Sequence, residues 1–112
     1  MDDKVKKRLL DVMAYINEVE YLCSERPRDF NVFVSDKFFY RAIQMDIAVI
    51  GEAMSHILKE NPSIAISHAR KIVDTRNYII HGYDSLRPDI LWGIVIRHIP
   101  ILKREIAALL EQ

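Results

Sequence analysis

Apolar residues return every three or four positions from Val5 through Leu9, Val12, Ile16 and Val19 to Leu22. That step lays them along one stripe of an α-helix, whereas the face of a strand needs a period of two. The same period returns at Phe39, Ile43, Ile50, Ala53 and Ile57, then at Ala69, Ile72, Val73, Ile79 and Ile80. It closes the chain at Leu91, Ile94, Val95, Ile99, Leu102, Ile106, Leu109 and Leu110. Only 3 glycines and 4 prolines stand among 112 residues, too few for the many turns of an all-β fold.

The breaks fall between the stripes. Arg26-Pro27-Arg28 ends the first helix, because the residue before a proline disfavours helix. Ser35 is a plausible N-cap for the second helix, with Asp36 in its first turn, and Asn61-Pro62 closes it. The third helix is expected from about Ser67 to Ile80, ended by Gly82. Pro88 suits the first turn of the last helix, and Pro100 inside it should produce a kink. Short connections between long amphipathic helices predict an all-α fold, an antiparallel four- to five-helix up-and-down bundle, with residues 1–112 as one domain. Trp92 and the dense run from Ile90 to Ile99 suggest a second apolar face on the last helix, and hence a homodimer.

Charge narrows the functional classes. Sixteen basic and 16 acidic residues cancel, which argues against a protein that coats duplex DNA through bulk charge. Between Ser67 and Arg87, however, Arg70, Lys71, Arg76 and Arg87 outnumber Asp74 and Asp84, leaving room for a small phosphate-binding patch. The lone Cys23 cannot form an internal disulfide, and no apolar leader or long apolar run is present. A cytoplasmic protein with no membrane association is expected. His56, His68, His81 and His98 show no i, i+4 pairing, and no glycine-rich phosphate loop occurs, so no metal and no cofactor is expected.

The chemistry concentrates in Arg76-Asn77-Tyr78-Ile79-Ile80-His81-Gly82-Tyr83. Arginine offers a permanent bidentate clamp for phosphate, and histidine exchanges a proton near neutrality. RNA cleavage needs little else: a base for the 2′-hydroxyl, an acid for the leaving 5′-oxygen and a cation for the charge on phosphorus. An arginine five residues before a histidine is also met by a surface arginine and a histidine favoured at a helix C-terminus. On an ideal helix the two stand about 140° apart, so convergence requires an unwound helix end or a second copy of the chain. Asp46 interrupts the second apolar stripe, where a carboxylate must be paired or must mark a site. Asp46 and Glu52 are candidates for orienting Arg76 or His81, with Asn77 as a further supporting residue.

Taken together, Arg76-Asn77 and His81-Gly82-Tyr83 resemble the motif of HEPN-domain ribonucleases, and Tyr83 resembles its HepT toxin branch. Ala42 through Asp46 to Ile50-Gly51-Glu52-Ala53, and Trp92 after the Tyr83-Asp84 turn, are similar to the same branch over roughly residues 38 to 110. The resemblance implies a dimer with an RNA-cleaving cleft at its interface, in which Arg76 and His81 are catalytic. It further implies a toxin neutralised by a minimal nucleotidyltransferase antitoxin that transfers AMP to Tyr83. The alternative is a non-catalytic bundle that binds nucleotide or regulates a nucleotidyltransferase. The chain departs from the family in two places. His68-Ala69 stands where Pro-Trp is frequent. Asp74 stands where a glycine is common, close enough in sequence to pair with Arg70 or Arg76.

Overall fold

The computed structural model describes residues 1–81 and 87–112, with Ile80 and His81 described by backbone alone. Its helices are α1 (Asp3–Ser24), α2 (Phe30–Ser35), α3 (Lys37–Glu60), α4 (Ala69–His81), α5 (Pro88–Gly93) and α6 (Ile99–Leu110), with a π-helical turn at Ile94–His98 between the last two. No strand occurs among the described residues. The architecture is the expected all-α bundle, measuring 41 × 29 × 18 Å.

The first helix forms as its spacing predicts. Asp2 caps it by accepting from the Lys4 and Val5 amides at 2.7 and 3.4 Å, and Val5, Leu9, Val12, Ile16 and Val19 are all buried. In α3 the buried stripe includes Phe39, Ile43, Ile50 and Ile57, joined by Ile47 and Met54, while Ala53 is only partly covered. This helix is the hub, packing on α1 along one flank and α4 along the other.

Two boundaries differ from expectation. Ser35 does not cap α3; it ends α2, a six-residue helix capped by Asp29 through the Asn31 amide at 2.7 Å. Asp36 is the cap of α3, accepting from the Phe39 amide at 3.1 Å. Six residues are too few to show a period, so α2 is held by tertiary packing, chiefly its buried Phe33. Arg26 locks this corner. Its guanidinium bonds the Leu22 carbonyl at 2.8 Å and the Asp36 carboxylate at 3.1 Å, and lies 4.6 Å from the Phe39 ring centroid.

Trp92 belongs to the fold of one copy. Its ring stacks on Phe33 at 4.8 Å between centroids and meets Phe39 edge-on at 6.4 Å. Leu91, Ile94, Val95 and Ile99 are likewise buried within the chain. The second apolar face expected between Ile90 and Ile99 is therefore largely consumed by α2, α3 and the rest of the core.

Pro100 also acts differently from a simple kink. It has no amide to donate, and the helix accommodates it through the π turn, where the Ile99 amide reaches back five residues to the Ile94 carbonyl. One additional residue per turn re-aims Arg97 and His98. Farther on, Glu105 of α6 reaches across to the segment before α4, accepting from the Ser67 amide at 3.0 Å and its hydroxyl at 3.0 Å. No helix among the described residues is long and apolar enough to cross a membrane.

Candidate active site

The site begins with a glycine. At Gly51, midway along α3, an added Cβ would collide with Arg76 Cβ and stand 3.0 Å from both Arg76 Cγ and the Ile72 carbonyl. The missing side chain lets α4 lie directly against α3 at this point. Arg76 is consequently pinned at its root while its guanidinium extends toward the next residue of α3.

That residue is Glu52. The Arg76 guanidinium donates to the Glu52 carboxylate and to the neighbouring Asn77 side-chain oxygen. Glu52 in turn bonds His56 Nε2 at 3.1 Å, one helical turn along. Hydrogen bonding from Arg76 and then His56 holds the Glu52 carboxyl below its usual range, so it remains an anion. Arg76 is 21% exposed and Glu52 48%, and the Arg76 Nε is buried with no partner among the described residues. The arginine is thus fixed in place with part of its fork turned to solvent.

The sequence candidates divide. Arg76, Glu52 and Asn77 come together in one bonded cluster, and His56 joins it unanticipated as an orienting residue. The Glu52/His56 spacing of four on one helix was its available signal. Asp74 does not take the role of partner to Arg76; among the described residues the acid that reaches the guanidinium is Glu52. Asp46 stands apart. It is 3% exposed on the α1 side of α3, its Oδ2 has no hydrogen-bond partner among the described residues, and burial, with a smaller push from Glu18, raises its pKa to about 6. It has no bond to Arg76 and does not orient it. The roles expected of the His81 side chain and of Tyr83 lie outside the described residues.

Beside the cluster runs an open, mostly apolar groove of about 540 Å³ between α3 and α4, lined by Arg41, Met45, Ala48, Val49, Glu52 and Ile79. Met45 on the groove wall is 65% exposed, and Phe38 and Tyr78, of the same two helices, are 77% and 54% exposed. Among the described residues no three metal-ligating side chains converge.

Residues 9–109 match the family model described as Ribonuclease HepT-like. The chain is 28% identical over 106 residues to a protein of Methanocaldococcus jannaschii named as a candidate RNase, covering 91% of this chain and 93% of that one. It is also 28% identical over 103 residues to a similarly named protein of Caldanaerobacter subterraneus subsp. tengcongensis, covering 87% and 88%. No solved structure matches it. The chain belongs to the HepT-like ribonuclease family.

Proposed function

We propose that this protein is an endoribonuclease that cleaves RNA with its own side chains, Arg76 clamping the scissile phosphate and His81 transferring protons. The observation that carries this reading is Arg76 itself, seated on Gly51 and held by Glu52 five residues before a histidine in a chain of this family. In the reaction the 2′-oxygen attacks phosphorus and the bond to the 5′-oxygen breaks, leaving a 2′,3′-cyclic phosphate. A base takes the 2′-hydroxyl proton and an acid supplies one to the 5′-oxygen. The arginine offsets charge on the non-bridging oxygens as it develops.

The catalytic unit in this reading is a homodimer. Support comes from the exposed α3 face, where Arg41, Met45, Ala48 and Glu52 recur at helical spacing around the groove. A two-fold axis passing between Met45 and Ala48 would bring Arg41 of each copy toward Glu52 of the other and cover the apolar residues between. Two Arg76 and two His81 side chains would then border one cleft. The protein acts in this reading as a cytoplasmic toxin, paired with a nucleotidyltransferase that adds AMP to Tyr83. Adenylate there would place bulk and negative charge two residues from His81 and repel RNA.

The test uses purified protein and a short single-stranded RNA in EDTA. Cleavage to cyclic-phosphate ends, lost in Arg76→Ala and His81→Ala, is the expected result. Intact RNA together with tight ATP binding would instead identify a non-catalytic nucleotide-binding subunit. Co-expression with a cognate nucleotidyltransferase should add AMP mass increments to the wild type and none to Tyr83→Phe.

A further inference from the structure

The opposite flank of α4 carries a second basic site. Lys71, Arg97 and His98 line a pocket of about 320 Å³ between α4 and the π-helical turn, floored at Gly93 and edged by Asp89. The His68 ring lies against His98 at 4.6 Å between centroids, adding another basic group. The carboxylate at the rim, among the described residues, is Asp89, and it is already occupied, accepting from Arg87 at 3.2 Å through Nε and at 2.7 Å through the terminal nitrogen. Among the described residues neither Lys71 nor Arg97 has an ion-pair partner. The basic groups at this open pocket outnumber its carboxylate among the described residues, and an anion relieves the repulsion between them.

We propose that this pocket binds a phosphate of an RNA strand, remote from the phosphate held at Arg76. The proposal rests on the reading of the chain as a ribonuclease. Lys71 and Arg76 stand five residues apart on α4, about 7.5 Å along its axis and about 140° around it. Two cationic points on different flanks of one helix suit a polymer lying across it, whereas a mononucleotide engages only one. The π turn supplies the geometry on the other wall, since its additional residue sets the directions of Arg97 and His98. Gly93 leaves the floor open: beyond its own helix backbone and chain neighbours, none of the described residues comes within 4 Å of where its Cβ would be.

The test measures binding of a fluorescent 2′-O-methyl RNA oligonucleotide, which cannot be cleaved, to the full-length protein at several salt concentrations. Lys71→Ala and Arg97→Ala should each weaken binding roughly tenfold. Each should also lower the slope of log affinity against log salt by about one. Gly93→Glu, which places an acid in the pocket, should weaken binding at least as much. Unchanged affinity and slope in Lys71→Ala and Arg97→Ala would overturn the pocket, even if RNA is cleaved. Inorganic phosphate or ATP binding that depends on Arg97, with no RNA binding, would overturn RNA as the occupant. Retained Arg97-dependent binding by a wild-type protein that leaves unmodified RNA intact would overturn the ribonuclease reading alone.

Discussion

Arg76 rests its β-carbon on the bare backbone of Gly51, and the carboxylate it bonds belongs to the very next residue, Glu52. One position of α3 therefore sets the distance between α3 and α4, and the adjacent position sets the direction of the guanidinium. Gly51→Ala should be destabilising despite alanine's advantage of about 1 kcal/mol within a helix. Overpacking at a contact with backbone and a side-chain root costs about 1–3 kcal/mol, so the collision outweighs the propensity. Denaturant unfolding should show a lower midpoint with an unchanged slope.

Gly93 supplies the control, being helical too but with open space where its Cβ would stand. Gly93→Ala should raise stability by about 0.5–1 kcal/mol through loss of unfolded-state freedom. Equal signs for the two glycine variants would mean that close approach does not govern Gly51.

Glu52 could either aim Arg76 or mask its charge, and these alternatives predict opposite changes in rate. Aiming predicts that Glu52→Ala lowers kcat about 10- to 100-fold, as misplaced groups do, with a smaller change in KM. Glu52→Gln retains an acceptor oxygen and should fall between Ala and wild type. Masking predicts that Glu52→Ala cleaves RNA faster. Steady-state cleavage by the three proteins decides between them.

The long stripes of α1, α3 and α6 were legible because each repeats over several turns, enough for period 3.6 to stand clear of chance. The six-residue α2 was not, since Phe30–Ser35 is shorter than two turns and owes its form to Phe33 packing beneath Phe39 and Trp92. The intrachain stacking of Trp92 was hidden for the same reason: its partner Phe33 lay in a segment assigned to no helix. Arg76 was legible as a chemical group, but its bond to Glu52 spans 24 residues and depends on how two helices pack. Pro100 announced a disturbance without revealing that a π turn would absorb it.

Asp46 should make stability depend on pH. Its carboxyl titrates at about 6 in the folded chain against 3.8 for the free side chain, because burial disfavours the anion. The folded state thus binds the proton more tightly than the unfolded one. This group's contribution is most favourable below pH 3.8 and is lost as pH rises through about 6. Discounted for relaxation of the protein around the anion, the loss is on the order of 1–2 kcal/mol. Asp46→Asn should therefore be more stable than wild type at pH 8, with the gain shrinking toward pH 4. A gain independent of pH would assign the effect to packing.

His98 should respond to pH with the opposite sign. Burial is the first cause that lowers its pKa below the usual 6.5, followed by the positive charges of His68, Lys71 and Arg97. Its Nδ1 is buried with no partner among the described residues, so protonation would leave an unsatisfied donor there. The unfolded chain takes up this proton more readily, and its contribution to stability, present above pH 6.5, declines as pH falls below it. Imidazole resonances followed by NMR should show His98 titrating below its ordinary midpoint. His68→Phe keeps an aromatic ring against His98 but removes one charge, so the His98 midpoint should rise. If it stays where it was while Lys71→Ala moves it, the field comes from the cations lining the pocket rather than from the neighbouring His68 ring.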